Sequence, residues 1–107
     1  MFGISFKSKA EANHALWLQS EKDAGRIKSW EYEKKFNFYV EGSLVASHKP
    51  DFLIVMNDDR YVVHEIKGGR ATMTDGWAIR RNLFEALNPY IKYEVFDRVR
   101  KHYIWGL

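Results

Sequence analysis

Pro50-Asp51-Phe52-Leu53-Ile54-Val55-Met56, then Asn57-Asp58-Asp59-Arg60, then Tyr61-Val62-Val63-His64-Glu65-Ile66-Lys67-Gly68-Gly69: this stretch decides the fold. Phe52 to Met56 is a short, unbroken apolar run of the kind that forms a buried strand. The four residues after it have turn composition, and Tyr61 to Lys67 resumes a β-branched and aromatic pattern. A hairpin centred on Asp58 and Asp59 sets Asp51 opposite Glu65 to Lys67, where facing Cβ atoms are about 4.5–5.5 Å apart. Alternation puts Glu65 and Lys67 on one face and Ile66 on the other. Two carboxylates and an ammonium thus meet at one end of a sheet. Carboxylates that close repel unless a cation lies between them, and a hard divalent metal bound by oxygens suits the place. A salt-bridged strand end is the plainer alternative. Against it, charged residues rarely interrupt apolar central strands unless paired or liganded. Gly68 and Gly69 would also let a phosphate approach the backbone closely. A second Glu-x-Lys triplet, Glu33-Lys34-Lys35, has neither the Pro-Asp strand before it nor the glycine pair after it.

Working outward, Ser8-Lys9-Ala10-Glu11 fits a capping box, and apolar positions at Ala12, Ala15, Leu16 and Leu18 predict a first helix that Gly25 ends. Trp30 to Val40 reads as one strand and Glu41-Gly42-Ser43 as a turn, with Leu44 to Lys49 leading into the Pro50-Asp51 strand. Thr74 and Asp75 cap a second helix whose apolar positions are Trp77, Leu83, Phe84 and Leu87, and Asn88-Pro89 stops it. Tyr90 to Phe96 is a further strand. The predicted order is helix, three strands, helix, strand. That order implies an α/β fold over residues 1–107 as a single domain, with a mixed β-sheet of about four to five strands flanked by two helices.

Composition bounds the rest. The 107 residues are 46% hydrophobic and 16% aromatic, which argues for a packed core rather than disorder. The absence of Cys excludes disulfides and thiolate metal sites and is compatible with a reducing compartment. A formal net charge of +3 favours a polyanionic partner. No apolar run nears the roughly 20 residues of a membrane span, and no signal-peptide pattern opens the chain. A soluble, cytoplasmic protein with no membrane partner is expected.

Ser8-Lys9-Ala10-Glu11 on the first helix, Pro50-Asp51-Phe52 on one strand and Glu65-Ile66-Lys67-Gly68 on the next resemble the PD-(D/E)XK nuclease superfamily. The chain is similar in particular to small phage-encoded nucleases and to endonuclease I-type Holliday junction resolvases. The resemblance implies a restriction-endonuclease-like domain, an Mg²⁺- or Mn²⁺-dependent endodeoxyribonuclease, and the host cytoplasm for a phage-encoded protein. It implies that Asp51 and Glu65 ligate the metal with the carbonyl of Ile66, and that Lys67 orients or helps deprotonate the attacking water. Glu11 matches a helical glutamate that completes the metal site in many relatives, although the capping box alone also accounts for it. Relatives that cut both strands are homodimers, because two cuts need two symmetry-related sites.

Other residues extend the expected DNA surface. Lys7 and Lys9 stand at the start of the first helix, where phosphates are attracted. Arg70 follows the glycines, and one of Arg80 and Arg81 would face the cleft, a solvated helix face being the alternative. Arg98, Arg100, Lys101 and His102, interleaved with Tyr103 and Trp105, would grip nucleic acid or serve as exposed charge among core aromatics. His14, three residues after Glu11, reads as a surface or supporting residue, and His48 and His64 as structural ones. With no separate recognition domain, the DNA would be read by shape or backbone, as in branched DNA, rather than by sequence. A non-catalytic nucleic-acid-binding module that keeps the same scaffold is the other class.

Overall fold

A computed structural model of the chain describes residues 2–68 and 74–96 and the backbone of 97 and of 102–105. Helix α1 (Lys9–Asp23) begins as the capping box requires: Ser8 is extended and its hydroxyl accepts the Glu11 backbone N–H at 3.1 Å. Ala24 caps its far end and Gly25 follows at φ 78°, a left-handed turn that glycine adopts without strain. Leu16, counted with the apolar positions, is half exposed; Ala15 and Leu18 carry the buried face.

The stretch expected as one strand from Trp30 to Val40 is two, β1 (Ile27–Tyr32) and β2 (Phe36–Val40). The break has a local cause. Glu33 turns to φ 55° and its N–H donates to the Asp51 carbonyl at 2.9 Å, which ends the ladder and redirects the chain. β2 pairs with β3 (Ser43–His48) across the two-residue turn Glu41-Gly42, both at positive φ as such a turn demands. This hairpin is a separate two-stranded sheet, so β3 does not run on into the Pro50-Asp51 strand as expected.

β4 (Phe52–Met56) and β5 (Tyr61–Lys67) form the predicted antiparallel hairpin, with Phe52 facing His64 and Ile54 facing Val62. α2 (Asp75–Leu87), capped by Thr74 and closed by Asn88, carries the chain over to β6 (Lys92–Asp97), which lies parallel to β5. The strand expected from Tyr90 begins two residues later. β7 (His102–Trp105) adds an antiparallel edge strand beside β6. The mixed sheet runs β1-β4-β5-β6-β7, flanked by two helices, as the α/β expectation had it.

Alternation assigns the two faces. Phe52 and Ile54 of β4 and Val62 and Ile66 of β5 pack with Ala15 and Leu18 of α1. Leu53 and Val63 point the other way, toward Trp77 and Phe84 of α2, Phe38 of the small hairpin, and Tyr93 and Val95 of β6. Asp51, Glu65 and Lys67 have the parity of Leu53 and Val63. They therefore lie at the strand ends on the α2 side.

Candidate active site

The register that pairs Phe52 with His64 continues outward to bring Asp51 beside Glu65. Pro50 and Asp51 are buried, and the backbone N–H of Ile66 donates to Asp51 Oδ2 at 2.7 Å, which fixes that carboxylate on the partner strand. Asp51 is 5% and Glu65 4% exposed, and the two carboxyl groups lie close enough for each to act on the other's charge. Burial raises both carboxyls above their usual range. Asp51 is held partly down by the Ile66 N–H, while Glu65 is pushed further up by the Asp51 charge and eased by Lys67.

These groups open into a polar pocket of about 410 Å³, also lined by Lys7, Glu11, Ser47, Lys49 and Arg80. Lys7 Nζ lies 2.9 Å from Glu33 Oε2 and 3.9 Å from Asp51 Oδ1. Its pKa is raised, chiefly by the hydrogen bond to Glu33. Glu11 lines the same pocket with both oxygens engaged: Ser8 Oγ donates to Oε2 at 3.0 Å and the Tyr32 hydroxyl to Oε1 at 2.6 Å. Capping and site lining are thus compatible in one side chain. Lys67 lines the pocket with its ammonium 4.6 Å from the centre of the Trp77 ring.

Glu11, Glu33, Asp51 and Glu65 bring carboxylate oxygens to this pocket, donors that suit a hard divalent ion. Two carboxyls buried side by side cannot both carry charge without a positive charge between them. A cation in that position would satisfy both in their ionised forms, so the residues present fit Mg²⁺ or Mn²⁺. Among the described residues no three or more His, Cys, Asp or Glu side chains form a ready-made metal cage. A bound ion would therefore depend on the carboxylate pair, backbone oxygen and water, as magnesium sites commonly do.

Of the other residues singled out, Arg80 faces the pocket while Arg81 does not. Arg81 is tucked against the Trp77 ring at 5.2 Å and reaches Asn82 and Glu85, on the core side of α2. Lys9 is exposed in the first turn of α1 and is not part of the pocket lining. Arg70, Arg98, Arg100 and Lys101 lie outside the described residues, as do the side chains of His102, Tyr103 and Trp105. His14 turns from Glu11 toward the sheet, its Nε2 at 2.9 Å from His64 Nδ1. His48 is buried as expected but also borders the pocket. Its ring nitrogen meets the Tyr93 hydroxyl at 2.8 Å, and burial lowers its pKa to about 4.

Sequence reasoning passed over Tyr32, Glu33, Lys49, Trp77 and Tyr93 as site residues. Lys49 adjoins the Pro-Asp pair and carried a readable signal. Tyr32 and Glu33 reach the site only because the chain breaks after β1. No helix among the described residues is long and apolar enough to cross a membrane. Neither the curated proteins nor the solved structures contain a match to this chain. One family does match, over residues 1–104, and the chain belongs to it: the family described as protein of unknown function (DUF1064).

Proposed function

We propose that the protein is a metal-dependent DNA endonuclease that hydrolyses phosphodiester bonds where Asp51, Glu65 and Lys67 meet. One observation carries this reading: two buried carboxyls, close enough to act on each other's charge, line a polar pocket that also holds Lys67 and Glu11. A structural ion pair would set each acid against a base. Here acid faces acid as well, with Lys7 3.9 Å from Asp51. The likeness of Pro50-Asp51 and Glu65-Ile66-Lys67 to the PD-(D/E)XK nucleases supports the same reading.

Asp51 and Glu65 would hold Mg²⁺ or Mn²⁺, with the Ile66 carbonyl and Glu11 as further oxygens. When bound, such an ion lowers the pKa of water and stabilises charge on the phosphate. The Ile66 N–H keeps Asp51 aimed at the pocket. The Lys67 ammonium opposes charge developing on the phosphate and orients the attacking water. Lys7, Lys49 and Arg80 stand at the rim, where the phosphates on either side of the scissile bond would lie. Branched DNA or a four-way junction is the preferred substrate in this reading, Arg70 and Lys9 extend its contacts, and a homodimer supplies the second cut.

The test is a panel of duplex, single-strand, flap and four-way-junction DNA, with Mg²⁺, Mn²⁺ or chelator, beside a sizing measurement. Metal-dependent cleavage with a junction preference and a dimeric mass supports the full proposal. Cleavage that persists in chelator removes the metal mechanism. Tight binding of every substrate without cleavage favours a non-catalytic binding module.

A further inference from the structure

Trp77 touches both halves of the proposed catalytic set. Its ring is 6% exposed in the first turn of α2, and its backbone N–H donates to Thr74 Oγ1 at 3.2 Å. Lys67 Nζ lies 4.6 Å from the ring centre, within reach of the aromatic face. The Arg81 guanidinium packs on the same ring at 5.2 Å. At the ring edge, the indole Nε1–H donates to Tyr93 Oη at 3.2 Å. That phenol oxygen is also 2.8 Å from His48 Nε2 and 3.5 Å from Glu65 Oε1.

Proton accounting settles the direction of this network. An indole nitrogen only donates, and a phenol has one proton and two lone pairs. All three contacts are satisfied together when His48 carries its proton on Nε2 and donates it to Tyr93. The Tyr93 proton then goes to Glu65. Two donors enter the phenol oxygen and one leaves toward the carboxylate. His48 also stacks on the Tyr93 ring at 6.0 Å and 17°, which steadies the phenol.

We propose that Trp77 is a positioning residue for phosphodiester hydrolysis, its ring face holding the Lys67 ammonium and its N–H, through Tyr93, setting the Glu65 carboxylate. This rests on the nuclease reading above. Lysine has a long flexible stem that otherwise samples many rotamers, and a metal-binding carboxylate is tuned by the group behind it. One rigid indole answers both needs.

The plain alternative is that Trp77 only fills the core beside Phe84 and Val95. Three full-length variants separate the two: Trp77→Phe keeps a ring face and loses the N–H, Trp77→Leu loses both, and Tyr93→Phe keeps the core and loses the hydroxyl. The readouts are kcat and KM on the best-cleaved DNA of the panel, and Mn²⁺ binding by calorimetry without DNA. All are taken well below each variant's Tm. Trp77→Leu should lower kcat about 10-fold with KM within about twofold, whereas Trp77→Phe should keep kcat within about threefold of wild type but, lacking the N–H, weaken Mn²⁺ binding about threefold. Tyr93→Phe should weaken Mn²⁺ binding about 10-fold. Equal losses in Trp77→Phe and Trp77→Leu overturn the proposal, as does unchanged Mn²⁺ affinity in Tyr93→Phe, which stands as the test if Trp77→Leu does not fold. A wild type that neither cleaves DNA nor binds Mn²⁺ overturns the nuclease reading and this proposal together. An active wild type with an equally active Trp77→Leu overturns this proposal alone.

Discussion

The His14–His64 pair beneath α1 and the Asp51–Glu65 pair at the strand ends are both couples of like ionisable groups packed into the fold, yet burial leads them to opposite ends. His14 sits among the rings of Trp17, Phe52 and Phe96, 4.7–5.2 Å away between centroids. Burial first, then the His64 charge, push its pKa down to about 3, so it is neutral at physiological pH and shares one hydrogen bond with His64. That pair finds its partners within the fold. The carboxyls cannot both settle that way: as neutral acids they lose the Ile66 and Lys67 interactions that favour charge, and as anions they repel. They also line a polar pocket, while the histidines pack among aromatic rings and His64 Nε2 lies 3.4 Å from Glu94 Oε2. A buried polar pair is a structural device when it neutralises itself and a candidate site when it calls for a cation.

The contrast can be broken most decisively at the acidic pair. Asp51→Ala, Glu65→Ala and Lys67→Ala should each reduce DNA cleavage by about 1,000-fold or more while circular dichroism stays native. The histidine pair should answer in stability instead. His14→Ala removes a ring and the hydrogen bond to His64, and should cost about 2–3 kcal/mol in urea unfolding with cleavage by the folded protein within about twofold of wild type. Glu11→Gln sharpens the role of the helical glutamate, because glutamine still serves a capping box but offers one acceptor oxygen where Ser8 and Tyr32 use two, and brings no charge to a cation. Cleavage about 10-fold lower with stability down by no more than about 1 kcal/mol is the outcome expected if Glu11 completes the metal site; unchanged cleavage would leave it a cap.

Two smaller effects follow from the signs of the shifts. Burial first, then the Asp51 charge, hold the Glu65 carboxyl well above the usual carboxylate range in the folded protein, so its contribution to stability falls as pH rises through neutrality. Metal-free Glu65→Gln should therefore unfold later than wild type at neutral pH, by about 1 kcal/mol, and should gain nothing from added Mn²⁺. His14 runs the other way. Its pKa drops from 6.5 to about 3 on folding, so the stability it lends is full above pH 6.5 and lost as pH falls toward 3. The stability deficit of His14→Ala should narrow over that acid range in pH-dependent denaturant titrations.

The parts legible in the sequence are those set by local chemistry. The Ser8–Glu11 box, the Thr74 cap and the Asn57–Arg60 turn each have a residue pattern that dictates one backbone outcome, and the central hairpin has alternation as well. The break at Glu33 has no such pattern. It depends on a hydrogen bond to the Asp51 carbonyl, 18 residues further along the chain, and without it Trp30 to Val40 reads as continuous. The site divides in the same way. Asp51, Glu65 and Lys67 were predictable because one hairpin aligns them. Tyr93 and Trp77 come from the next strand and the crossover helix, and only the parallel β5–β6 pairing and the packing of α2 bring them behind Glu65 and Lys67. The direction in which Arg81 turns, inward against Trp77 while Arg80 faces the pocket, is likewise a matter of helix rotation that two adjacent arginines do not reveal.

The most direct test of the central claim is an anomalous-scattering map from crystals of the protein soaked in Mn²⁺. A peak held between the Asp51 and Glu65 carboxylates, lost in Glu65→Gln, is the predicted result. Ordered protein at that position with no peak there, or with manganese seated on His14 and His64 instead, would contradict the account.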